Sequence, residues 1–164
     1  MKGIDFYKYN KIFGLIAGLF AFLVFTLTVE PTASYWDCAE YISTSAKLQI
    51  GHPPGAPLFQ MLGAIFSILA FDVSQIAYAV NMMSVFSSAM TIIFLFWSIS
   101  LIGKQLLKTS RFLNFNNAFK IFGASFLGSI SFTFTDSFWF NAVEAEVYAM
   151  ATLILSALFW LGLK

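Results

Sequence analysis

The sequence predicts an all-α integral membrane protein, with about four transmembrane helices and one or two interfacial helices in its first outer loop. Three observations carry that expectation. Apolar residues make up 59% of the 164 positions and charged residues only 10%, whereas a water-soluble domain is about a quarter charged. Long uncharged runs alternate with short charged linkers. The charges on those linkers also separate by sign along the chain. The net charge of +1 selects no class of partner, and none of the chemistry suggests nucleic acid. The lone cysteine, Cys38, excludes an internal disulfide and a thiolate zinc cluster, and reads as a small packing residue.

The elements follow in order. Residues 1–11 carry Lys2, Lys8 and Lys11, and 12–29 is an uncharged run long enough to cross a bilayer. A basic start before an apolar stretch also describes a signal peptide. This run is longer than a usual signal core, so an uncleaved first span is expected. Gly14 and Gly18 form a GxxxG pair there, a device for close helix contact. An outer loop, 30–76, comes next. Inside it, 56–71 is apolar but falls short of the roughly twenty residues a span needs. Residues 77–102 form a second span, and Lys104, Lys108, Arg111 and Lys120 lie in the linker after it. The third span is 121–138, with Ser125, Ser129 and Thr133 on one stripe for helix packing and Asp136 closing it. An acidic patch holding Glu144 and Glu146 precedes a fourth span, 147–163. Tyr78 and Asn81, near the head of the second span, read as helix-packing polar groups.

Residues 36–58, WDCAEYISTSAKLQIGHPPGAPL, hold the chain's only histidine and two carboxylates one helical turn apart. Asp37 and Glu40 stand at i and i+3, and Thr44 and Lys47 continue their stripe. Cys38, Tyr41, Ile42 and Leu48 fall on the other side, as in a helix lying on an apolar surface. Ser34 offers a start to this helix, and Gly51 with Pro53 and Pro54 a stop.

Topology turns on 56–71. If it crosses the bilayer, Lys104 to Lys120 face away from the N-terminal lysines. If it rests at the surface, Lys2, Lys8, Lys11, Lys104, Lys108, Arg111, Lys120 and Lys164 all lie on the cytoplasmic side. Glu30, Asp37, Glu40, Asp72, Asp136, Glu144 and Glu146 then lie outside, with Lys47 the only outer base. The positive-inside bias of short loops selects this second arrangement. It brings Asp37 and Glu40 to the same membrane face as Glu144 and Glu146.

Each candidate has a plainer alternative, and the residues alone leave both open. Asp37 and Glu40 suit either a solvated helix face or a site, and Glu146 either an interface marker or a ligand. His52 either hydrogen-bonds the backbone before the Pro-Pro turn or takes part in binding. Asp37, Glu40 and His52 together are the ligand types of a divalent-cation site, although no cofactor is expected. Tyr35, Trp36, Trp139 and Tyr148 suit an aromatic belt at the interface.

WDCAEY, HPPGAPLF and NAVEAEVYAM together resemble an uncharacterised bacterial membrane family related to protein O-mannosyltransferases, within the GT-C class of polyprenyl-phosphate-sugar-dependent glycosyltransferases. HPPGAPLF is similar to the HPPLGK-type segment in the first outer loop of O-mannosyltransferases. The resemblance covers nearly all of this chain but only the N-terminal portion of such enzymes, so the chain reads as one membrane domain, 1–164, continued elsewhere by further spans. It implies transfer of a sugar, mannose among the candidates, from a polyprenyl-phosphate donor to a protein or glycan hydroxyl on the outer face. In that class an acid of the first outer loop is the catalytic base. That role carries onto Asp37 with Glu40 beside it, and the spacing leaves open which of the two it is. A second acid near the acceptor or the donor phosphate carries onto Glu146, or less directly Glu144. His52 or Lys47 would offset the phosphate charge, and Trp36 or Trp139 would stack on a sugar. Phe, Lys and Asn abundance suggests a bacterial source and hence the inner membrane, with the N-terminus cytoplasmic. Two other classes stand beside this reading. A transporter would place ionisable groups deep in its spans, where 12–29 and 77–102 have none. A non-catalytic assembly subunit would need no chemistry at all.

Overall fold

The computed structural model describes residues 3–53 and 55–164; Lys2 and Pro54, named above, fall outside them. Seven α-helices dominate: α1 (Phe6–Thr28), α2 (Cys38–Lys47), α3 (Pro57–Ile68), α4 (Ile76–Leu106), α5 (Phe115–Thr133), α6 (Asp136–Ala142) and α7 (Val147–Leu163). The all-α reading holds, with one small addition. Ile4–Asp5 (β1) pairs antiparallel with Phe112–Leu113 (β2).

Helix α4 is the central post, packed against α1, α5, α7 and α3. Its contacts with α1 are antiparallel along their length. Lys104 Nζ donates to the Tyr7 hydroxyl (3.1 Å), Trp97 Nε1 donates to Asn10 O (3.0 Å), and Asn81 Nδ2 donates to Glu30 O (2.7 Å). The GxxxG pair permits this approach. A Cβ at Gly14 would collide with the Trp97 indole, and one at Gly18 with Ile93. Helix α5 runs alongside α1, with Phe6 stacked on Phe122 and Phe25 edge-on to Phe138 in α6. Helix α7 runs back with α4, and Trp160 meets Phe94 and Trp97. Ser125, Ser129 and Thr133 are fully buried, each returning its hydroxyl to a carbonyl one turn back, so the small polar stripe serves helix packing as expected.

Two helical stretches, Phe6–Thr28 and Val73–Leu106, are long and apolar enough to cross a membrane. Their outward side chains, among them Leu19, Leu23 and Leu27, are exposed as lipid-facing residues are. The expected third span is broken. Helix α5 ends at Thr133, and α6 turns away from it by 68°. Asp136 therefore opens α6 instead of closing a span. The expected fourth span has the bounds of α7, but its 17 residues fall below the length of the first two. The first span starts earlier than expected, at Phe6, because Asp5 caps α1 by accepting from the Tyr7 and Lys8 backbone N–H groups.

The short segment does not cross the bundle. Residues on both sides of it sit at one end, since Asn81 holds the Glu30 and Thr32 carbonyls. At the other end Arg111 pairs with Asp5 (2.8 Å) next to the strand pair. The basic termini and linker therefore gather at one end of the bundle, and α2, α3 and the acidic segments at the other.

Candidate acidic site

Helix α2 positions the first half of the site. Trp36 has φ of 64°, a left-handed conformation uncommon for a large side chain. This bend leaves Trp36 87% exposed and sets Asp37 at the helix N-cap, outside the helix proper and without a side-chain cap bond. Cys38, Tyr41, Ile42, Thr44 and Ser45 form the buried face. Thr44 therefore belongs to the packed side, not to the acidic stripe, and it donates to Glu40 O (2.8 Å). The helix ends before the Gly-Pro signal. Leu48 adopts the left-handed conformation, and Gln49 N donates to Thr44 O (2.8 Å), a Schellman-type close.

The chain then turns back so that His52 meets Glu40. Both oxygens of Glu40 are occupied, one by the His52 backbone N–H (2.6 Å) and the other by His52 Nδ1 (3.0 Å). That backbone bond, with the imidazole after it, holds the Glu40 carboxyl below its ordinary value. The same contact raises His52 above its usual range, helped by the Asp37 and Glu146 charges. His52 Nε2 points toward Asp37, 3.8 Å away. A His52–Gly55 turn closed by Gly55 N to His52 O (2.7 Å) completes the loop, with Gly55 at φ 70°. Gly51 is needed for close approach, because a Cβ there would meet the buried Gln60 amide at 2.7 Å. That amide, its nitrogen toward Gln49 O (3.2 Å) and its oxygen toward Gly51 N (3.0 Å), ties the loop to α3.

The second half comes from the α6–α7 connection. Val143 O accepts from Glu30 N (2.9 Å), and the Ser34 hydroxyl donates to the Glu144 carboxylate. Ser34 thus bonds across the site; it does not start α2. Glu144 and Glu146 are both buried. Burial raises Glu144, opposed by the Ser34 bond. Burial, with the Glu144 and Asp37 charges, pushes Glu146 up to about 7. Tyr41, buried between the halves, is raised by burial and then by the Glu146, Asp37 and Glu40 charges.

Asp37, Glu40, His52, Glu144 and Glu146 therefore share one end of the bundle. Lys47 does not join them: it is exposed at the far end of α2, and no hydrogen bond or ion pair among the described residues links it to the cluster. Trp139 is also elsewhere, packed edge-on against Phe25 (5.9 Å). Asp37, Glu40 and His52 each offer one ligand atom within 4.8 Å of the others, a spacing able to hold a cation. Asn81, read from the sequence as a helix-packing polar group, also supports the loop that carries the site. Fully buried, it clamps the Glu30 and Thr32 carbonyls and lies 3.8 Å from Cys38 Sγ, fixing the chain just before Asp37. Its one signal was a lone amide in an otherwise uncharged run.

Residues 37–164 match the family model described as the protein O-mannosyl-transferase TMEM260 N-terminal domain. The chain is 27% identical over 141 residues to protein O-mannosyl-transferase tmem260 of Dictyostelium discoideum, an alignment covering 85% of this chain and 15% of that protein. It is 26% identical over 144 residues to protein O-mannosyl-transferase TMEM260 of Mus musculus, covering 86% of this chain and 18% of that one. The chain thus spans less than a fifth of the length of these relatives. Neither relative is bacterial, so they lend no support to the bacterial origin expected from composition. No solved structure matches the chain. All three sequence motifs lie within the matched region or at its border, and the chain belongs to the TMEM260 N-terminal domain family.

Proposed function

We propose that this chain supplies the acidic half of the active site of a GT-C-like protein O-mannosyltransferase, moving mannose from a polyprenyl-phosphate donor to a protein hydroxyl at the membrane's outer face. The observation that carries this is the meeting of Asp37, Glu40 and His52 with Glu144 and Glu146, across 110 positions of sequence at the Ser34 to Glu144 bond. The relatives' name, protein O-mannosyl-transferase, supports the same reaction. The positive-inside bias favours the acidic end as the outer one, and a bacterial inner membrane is the setting that composition alone suggests.

In the proposed step the acceptor oxygen bonds to the anomeric carbon as the carbon–oxygen bond to phosphate breaks, the electron pair leaving on the phosphate. The hydroxyl proton passes to a carboxylate. Asp37 is the better base because its carboxylate is 54% exposed and accepts no hydrogen bond among the described residues. Glu40, with both oxygens engaged, is instead a positioning residue for His52. His52, raised toward its charged form, faces the leaving phosphate, and Glu146, half neutral near pH 7, donates to it. Trp36 offers an exposed ring beside Asp37 for the sugar. The step needs no cofactor, and a divalent ion on Asp37, Glu40 and His52 would act by neutralising the phosphate.

A second reading assigns the base to Glu146, whose pKa of about 7 suits proton transfer at neutral pH. The test is mannose transfer by the natural full-length protein in membranes. Asp37→Asn should lower transfer by about 10²- to 10⁴-fold with donor binding retained, and chelation by EDTA should leave it intact. If Glu146→Gln has that effect and Asp37→Asn does not, the second reading replaces the first. Full transfer by both variants leaves the chain an assembly role only.

A further inference from the structure

The end of the bundle opposite the acidic site carries a cavity of about 390 Å³ between α1, α4 and α7, lined by Tyr7, Asn10, Lys11, Trp97, Trp160 and Lys164 among others. Its floor is aromatic, with Trp97 and Trp160 at 5.3 Å, and Lys164 Nζ lies 5.0 Å over the Trp160 ring. Its charge is not neutralised. Asp5 is the one acid at this end of the described chain, and Arg111 occupies it. Lys8, Lys11, Lys104 and Lys164 have no carboxylate partner among the described residues. Asn10 is only 9% exposed, and its Oδ1 accepts from Ser100 Oγ (2.5 Å). Its amide nitrogen has no acceptor among the described residues, so a free donor borders a basic, aromatic-floored cavity where the bundle meets the membrane surface.

We infer that this cavity binds the phosphodiester headgroup of an anionic phospholipid of the surrounding leaflet. Lys11 and Lys164 hold the phosphate, the Asn10 amide donates to it, and the Trp97 and Trp160 faces take the upper acyl chain. A basic pocket between membrane helices with an aromatic wall provides the required charge and the amphipathic boundary together. The site does not depend on the transferase reading.

The test uses tryptophan quenching by brominated lipid in a Trp36→Phe, Trp139→Phe background, so that only Trp97 and Trp160 report. Brominated phosphatidylglycerol is titrated into phosphatidylcholine bilayers holding the chain, and its relative binding constant is read. Each bound lysine contributes about a 5-fold preference. Phosphatidylglycerol should therefore be preferred by about 25-fold, and Lys11→Ala with Lys164→Ala should abolish most of that. Lys8→Ala, outside the cavity, should leave it within about 2-fold. Millimolar inorganic phosphate should fail to compete. Equal binding of both lipids, an equal loss in Lys8→Ala, competition by free phosphate, or no quenching because protein fills the cavity would each overturn the inference.

Discussion

Replacing Glu146 by Gln should make the folded chain more stable at neutral and alkaline pH and flatten its pH dependence. The wild-type carboxyl is pushed from 4.5 up to about 7, chiefly by burial and then by the Glu144 and Asp37 charges. At about 1.4 kcal/mol per pH unit, this displacement sets about 3 kcal/mol against the charged form. Between pH 4.5 and 7 the folded chain keeps a proton that the unfolded chain has lost. Stability therefore falls as pH rises through that window. Gln keeps the shape and cannot ionise, so the variant should match wild type below pH 4.5 and exceed it by up to about 3 kcal/mol above pH 7. Reversible unfolding in neutral detergent across this range reads the difference. The buried Glu144, also raised, leaves a smaller residual slope in the variant. A variant whose slope equals that of wild type would show that Glu146 is not held in the desolvated place the structure gives it.

Other outcomes follow from the supports of the site. Asn81→Ala removes two hydrogen bonds and strands the Glu30 and Thr32 carbonyls, so it should cost about 2–3 kcal/mol and speed amide exchange just before Asp37. Gly18→Val drives side-chain atoms into Ile93 and the Ala89 carbonyl; overpacking of this kind costs about 1–3 kcal/mol in unfolding measurements. The Glu40–His52 clamp should hold the 49–53 loop best between the lowered pKa of Glu40 and the raised pKa of His52. Its contribution is lost as pH falls below 4.5 through the first and as pH rises above 6.5 through the second, so proteolysis of the loop should follow a U-shaped profile.

The parts of this architecture that depend on composition and period were legible in the sequence. The segregation of lysines from acids located both ends of the bundle, because charge at a membrane interface is constrained independently of packing detail. The shortness of 56–71 likewise agrees with the 12-residue helix α3 that forms there. Helix registers were less legible, since the α2 face depends on what it packs against. Thr44 turned inward because Gln60 and the Glu40 carbonyl met its hydroxyl there. The engagement of Glu40 by His52, of Ser34 by Glu144 and of the outer loop by Asn81 joins residues distant in sequence, and no local pattern encodes such pairs. The break after Thr133 was also hidden, because 121–138 reads as one apolar run.

The central claim is that the segment around Asp37 and the segment around Glu146 meet at one membrane face. Single cysteines at Lys47, Lys108 and Ser137, in a Cys38→Ser background, can be labelled from each side of sealed vesicles with an impermeant maleimide. All three positions are exposed. The structure predicts that 47 and 137 react from one side and that 108 reacts only from the other. Labelling of 47 and 137 from opposite sides would place Glu146 across the bilayer from Asp37, and a single acidic site could not exist.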